Sequence, residues 1–121
     1  DMYISPLFKK QLAYAQSLHP KSIYILSAKY GIIELDEIIE PYQMTVNDMP
    51  DETRKMWALH CYKQLRDKGV DFNSRAVFLC GKNYHGYLSR FFPNAEKPLE
   101  GLSFGRRLQF LNKKLKGRDR A

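Results

Sequence analysis

The chain has 121 residues, 44% of them apolar and 13% aromatic, and carries 20 Lys and Arg against 13 Asp and Glu, a formal charge of +7. That length and apolar content fit one domain with its own core and exclude a disordered tail, a collagen and a disulfide mini-scaffold. Apolar runs such as Ile23–Leu26 are far too short to cross a bilayer, so no membrane association is expected.

Asp1-Met2-Tyr3 opens into a capped helix rather than a signal peptide. Ser5-Pro6 starts that helix, because a Ser oxygen can cap free amides and Pro tolerates the first helical position. Leu7, Phe8, Leu12, Ala15 and Leu18 follow a helical stripe, and His19-Pro20 stops it. Ile23 to Ala28 reads as a strand, apolar on both sides and therefore buried in a parallel sheet, with Gly31 as its break. Residues 32–42 read as a short hairpin or an extended excursion, and Pro41 argues against a central strand there. Asp48-Met49-Pro50 opens the next helix, which runs to about Lys68 and stops at Gly69, with Asp48 as its expected cap. Trp57, Ala58, Cys61, Tyr62 and Leu65 form its apolar face. Ala76–Cys80 is a second buried strand ended by Gly81, Tyr84–Phe92 a short helix closed by Pro93, and residues 95–99 a short strand. Ser103 caps a final helix in which Phe104, Leu108, Leu111 and Leu115 form the apolar stripe. Arg106 and Lys113 fall opposite that stripe, with Arg107 and Lys114 beside it.

Alternating helices and strands imply an α/β fold: a small, mainly parallel sheet flanked by helices. The leading helix has no strand before it, so the sheet is expected to lack an N-terminal strand and the chain to be a fragment. The domain is placed at residues 1–116, with a basic tail at 117–121.

Charge is unevenly placed. Residues 31–52 hold seven acids and no Lys or Arg, whereas residues 102–121 hold seven bases and one acid. A basic end of this kind attracts phosphate backbones, or else simply solubilises a helix. Cys61 and Cys80 sit in apolar segments and read as reduced core thiols of a cytoplasmic protein. Walker, dinucleotide-binding, hydrolase-elbow and zinc-ligand patterns are all missing, so neither a cofactor nor a metal is expected.

What remains is a pair of strand-end loops. Parallel strands gather ligands at their carboxyl ends. Those ends are Ser27-Ala28-Lys29-Tyr30-Gly31 and Gly81-Lys82-Asn83-Tyr84, each with a Lys, a Tyr and a Gly. Lysines hold phosphate and tyrosines stack on bases. The plainer reading has Gly ending strands, Tyr covering a sheet edge and Lys in solvent.

The string from Ile25 to Tyr42, with Leu26-Ser27, Tyr30-Gly31 and Pro41-Tyr42, resembles a segment of the YaaA-like family, bacterial proteins linked to peroxide stress and DNA binding. The whole chain looks more like a family of short, uncharacterised bacterial proteins. Those share Ser-Ala-Lys-Tyr-Gly, Glu-Pro-Tyr, Asn-Asp-Met and a final Pro-Leu-Glu-Gly-Leu…Gly, here Ser27–Gly31, Glu40–Tyr42, Asn47–Met49 and Pro98–Gly105. The resemblance implies an N-terminal strand ahead of the leading helix, in keeping with the expectation that the chain is a fragment. The helical insertion to which YaaA proteins owe DNA contact has only residues 5–18 in its place, so DNA binding by that motif does not carry over.

The expected function is nucleic-acid or nucleotide binding, DNA or RNA, in a cleft between the two loops. Ser27, Tyr30, Tyr42, Asn47, Lys82 and Tyr84 are its candidate contacts, with Arg106, Arg107, Lys113 and Lys114 on the basic helix. If the protein is an enzyme, it excises or modifies a nucleobase, with Lys29 beside Glu40 or Asp48 as the acid/base or electrostatic pair. The alternative is a non-catalytic stress-response interaction protein using the acidic segment 31–52.

Overall fold

The computed structural model of the chain describes residues 5–36 and 44–119, a small single domain of mixed helices and strands. Helix α1 spans Pro6–Ser17, and the Ser5 hydroxyl caps it by accepting from the Phe8 amide at 3.1 Å. His19 takes a left-handed φ of 51° and Pro20 follows, so the helix stops where the sequence said it would.

The expected parallel pairing fails in the first sheet. Strand β1 (Tyr24–Ser27) pairs with β2 (Gly31–Glu34) antiparallel, Tyr24 opposite Glu34 and Ser27 opposite Gly31. A parallel partner would need a crossover of a dozen or more residues, and only Ala28, Lys29 and Tyr30 separate these strands. Gly31 is therefore not a strand breaker. It has φ +78° and closes a three-residue hairpin loop, a position where a side chain is strained. Within the turn the Ser27 hydroxyl accepts from the Tyr30 amide at 3.0 Å.

Thr45 caps a single 3-10 turn, Val46–Asp48, by accepting from the Asn47 amide. Helix α2 then runs Asp51–Asp67 behind Pro50, with no side-chain cap, so Asp48 does not serve as its cap. Arg54 ties turn to helix instead, donating to the carbonyls of Val46 at 3.3 Å and Met49 at 2.9 Å. Asp51 and Glu52 occupy the first turn, where the helix dipole favours acids. Gly69, at φ +80°, follows the last turn.

The second sheet is parallel, as expected, but minimal. Strand β3 (Ala76–Val77) pairs with β4 (Ala95–Glu96), and the Phe78 amide extends the ladder to the Glu96 carbonyl at 2.8 Å. The guanidinium of Arg75 pairs with the Glu96 carboxylate across this ladder. The crossover between them holds a one-turn helix α3 (Lys82–His85) and a 3-10 turn (Leu88–Phe91), where the pattern suggested one helix. Two small two-stranded sheets thus replace the single parallel sheet among the described residues.

Helix α2 buries Trp57, Ala58, Cys61 and Leu65 against Ala28 and Ile32 of the hairpin and against Leu88 and Phe92. Helix α4 (Phe104–Asp119) packs on α1 around Leu111, Leu99 and Tyr14, with the Tyr14 and Phe110 rings edge to face at 6.0 Å. Phe104, expected in the α4 stripe, is 61% exposed. Burying the large side chains of each cluster contributes roughly 1.5–3 kcal/mol apiece. No helix among the described residues is long and apolar enough to cross a membrane.

Candidate functional site

Trp57 connects the two loops singled out by sequence. Its indole N–H donates to the Ser27 carbonyl at 2.9 Å, and its ring meets the edge of Tyr84 with centroids 5.8 Å apart. The Tyr84 hydroxyl lies 3.4 Å from Thr45 Oγ1, and the Asn83 amide donates to Asn47 Oδ1 at 2.8 Å. Lys82 and Asn83 thereby sit beside the 3-10 turn that carries Asn47.

Lys82 also lines an open cleft of about 580 Å³ between the N-terminal end of α2 and the β3–β4 crossover. Arg54, His85, Arg90, Lys97 and Glu100 share its walls. Two of its cations are committed to structure: Arg54 to the carbonyls named above, and Arg90 to the Tyr87 ring at 5.0 Å. The Asp51 carboxylate accepts from the Tyr87 hydroxyl and lies 3.6 Å from the Lys55 ammonium, and these contacts hold its carboxyl below the usual range. Among the described residues neither Lys82 nor Lys97 forms an ion pair.

His85 is 1% exposed, and neither ring nitrogen has a hydrogen-bond partner among the described residues. Burial, together with the Lys97 ammonium, holds its imidazole below the ordinary 6.5, against an opposite pull from Glu100. Arg107 of α4 adds to the depression. Its guanidinium lies 3.9 Å from the point that a Cβ on Gly81 would occupy, and its Nε donates to the Leu102 carbonyl at 3.0 Å. The first turn of α4 thus adjoins the Lys82 loop.

A profile described as a family of unknown function, DUF6884, matches residues 1–113. The chain belongs to the DUF6884 family. No curated protein and no solved structure matches it. The likeness to the YaaA-like family therefore rests on the quoted residues alone.

In this DUF6884 chain the candidate residues do not form one site. Asn47 accepts from Asn83 and Tyr84 meets Thr45, which sets the loop of Lys82 against the turn of Asn47, with Arg107 near the Gly81 position of the same loop. Lys29 and Tyr30 stand on the hairpin turn, the Lys29 ammonium 5.2 Å from the Tyr30 ring centre, and do not line the cleft that contains Lys82. Ser27 is fully buried and its polar atoms serve the turn and Trp57, so its role in the motif is structural. Asp48 is exposed at the end of the 3-10 turn. Glu40 and Tyr42 lie outside the described residues. Arg106, Lys113 and Lys114 are exposed on α4, the last with its ammonium over the Phe110 ring at 5.6 Å.

Sequence reasoning missed Trp57 as the link between loops, and it missed His85, Lys97 and Arg90 as cleft residues. A lone His in a short helix has no spacing signal, and Lys97 belongs to a segment read only as strand. Burial pushes the thiols of Cys61 and Cys80 up to about 12, with Arg107 opposing the rise at Cys80, which disfavours the thiolate form.

Proposed function

We propose that the protein binds nucleic acid or a nucleotide through phosphate, at the Lys82–Lys97 cleft and along the exposed basic line of α4. The observation that supports this is the approach of Arg107, in the first turn of α4, to the Gly81 position that precedes Lys82. A backbone lying along Arg106, Lys113 and Lys114 meets positive charge on α4, and Lys82 and Lys97 offer further phosphate contacts in the cleft. The exposed acids offer less. Glu34 pairs with Lys68 at 3.7 Å, Glu52 with Lys55 at 3.5 Å, and Asp51 with Tyr87 and Lys55, so the acidic segment is partly neutralised by local partners.

The reading is one of binding. Chemistry on a nucleobase by Lys29, Glu40 and Asp48 has no shared geometry behind it among the described residues. The test is the salt dependence of affinity for duplex and single-stranded oligonucleotides. With about four phosphates neutralised, log affinity falls against log salt at a slope near ~−3.6 on duplex DNA. Replacing Arg106, Lys113 and Lys114 by Gln flattens that slope by up to ~2.7. A triple variant that binds like the parent at every salt concentration removes α4 from the interface.

A further inference from the structure

We propose that the cleft is a seat for a phosphomonoester, whose dianion lies against Lys82 and Lys97 and accepts a hydrogen bond from His85. The proposal rests on the phosphate-binding reading above and narrows it to a terminal phosphate, on a mononucleotide or a strand end, rather than an internal diester.

Three observations carry it. First, a buried imidazole with two nitrogens lacking a protein partner among the described residues is costly, since each missing bond leaves a desolvated polar group. A ring of Phe would fill that space without the penalty, so a ligand-facing role explains the polar ring where packing does not. Second, the charged groups around His85 are mostly positive. Lys82 lies on its own helix, Arg90 on the next 3-10 turn, Lys97 on the segment after β4 and Arg107 on α4, with Glu100 the acid among them and Asp51, at the start of α2, a second acid in the cleft lining. Such a setting favours the neutral imidazole. A dianion reverses the balance, offsetting the Lys97 and Arg107 charges and supplying an acceptor, so the ring takes a proton from solvent and donates it as a hydrogen bond. Third, a cleft of about 580 Å³ suits one nucleotide and is too small to enclose a duplex. Both ring nitrogens are shielded from water, so the ring must turn toward the cleft when the anion enters.

The proton and charge count is simple. The ligand arrives with two negative charges, one proton enters from buffer, and no bond to phosphorus forms or breaks. An internal diester, with one negative charge and two non-bridging oxygens rather than three, gains less from this arrangement.

The test is isothermal titration of the full chain near neutral pH in buffers of different ionisation enthalpy. The probes are adenosine 5′-monophosphate, inorganic phosphate, and a short thymidine oligonucleotide with either a 5′-phosphate or a 5′-hydroxyl. Expected are tighter binding of the phosphorylated oligonucleotide, and net proton uptake with the monophosphate. His85→Phe is expected to weaken monophosphate binding by about tenfold or more and to abolish the uptake. Lys82→Gln weakens it without abolishing the uptake. A variant-free check is the His85 ring signal of the parent chain by NMR, whose titration midpoint rises when monophosphate is present. Binding without proton uptake and with an unmoved His85 midpoint overturns the proposal. Equal affinity for the two oligonucleotides also overturns it, while leaving nucleic-acid binding intact. If neither oligonucleotide nor the monophosphate binds, both readings fall. Inorganic phosphate binding as tightly as the monophosphate supports the seat and assigns it to the phosphate group alone.

Discussion

Gly31→Ala tests whether the Ser-Ala-Lys-Tyr-Gly motif answers to the fold. Gly31 sits at φ +78°, where an L side chain costs about 1–2 kcal/mol. An added Cβ would also stand 2.2 Å from Gln64 Oε1 and 3.0 Å from His60 Cδ2. The His60 ring is exposed and can swing away. Gln64 cannot leave freely, because its amide clamps the turn: Oε1 accepts from the Ile32 amide at 2.8 Å and Nε2 donates to the Tyr30 carbonyl at 3.2 Å. Each of those bonds contributes about 1 kcal/mol net, and displacing them strands a backbone amide on a buried residue. The expected loss is therefore about 3–4 kcal/mol, a large share of a typical domain's 5–15 kcal/mol, read as a fall in urea midpoint at constant slope. A double-mutant cycle separates the two contributions. In a Gln64→Ala background the clamp is already gone, so Gly31→Ala should cost only the backbone strain, about 1–2 kcal/mol. Additive effects in the cycle would refute the clamp. A Gly31→Ala variant within ~0.5 kcal/mol of the parent would refute the strained turn as well, and would return the motif to a ligand-binding role.

Two further expectations follow from the same packing. Trp57→Phe removes the donor to the Ser27 carbonyl and part of a buried ring, and should cost about 2–3 kcal/mol in urea unfolding; a loss below ~1 kcal/mol would mean that Trp57 does not hold the loops together. His85 has its pKa lowered in the folded chain, so the unfolded state binds the extra proton: its contribution to stability is full above the ordinary 6.5, falls as pH drops below that value, and is gone once pH is below the folded value. The difference in unfolding free energy between the parent and His85→Phe should therefore be constant above that range and shift further in favour of Phe below it, and curves that stay parallel throughout would contradict the neutral buried ring.

Much of the local structure was legible in the chain. Ser5-Pro6, His19-Pro20, Gly69 and the apolar spacing of Trp57, Cys61 and Leu65 act over one to four residues, and α1, α2 and α4 lie where those signals put them. The short parallel pairing of Ala76 with Ala95 was also within reach, because a helical crossover of this length admits it. The antiparallel hairpin was misread because buried strands look alike whichever partner they take. Gly31 carries the same letter whether it ends a strand or closes a turn, and only its φ of +78° and the Gln64 clamp decide which.

Composition told that the molecule is basic and that its charge is divided between an acidic middle and a basic end. It did not tell which cations are committed. Arg54 and Lys82 are equivalent in sequence, yet Arg54 is bound to two carbonyls of the turn before α2 while Lys82 opens onto the cleft. Nor could any spacing rule bring His85, Lys97 and Arg107 together, since they belong to three separate elements. Their meeting is set by how α4 and the β3–β4 crossover pack, and the buried, positively surrounded imidazole that results is a property of that packing and of no segment of the chain.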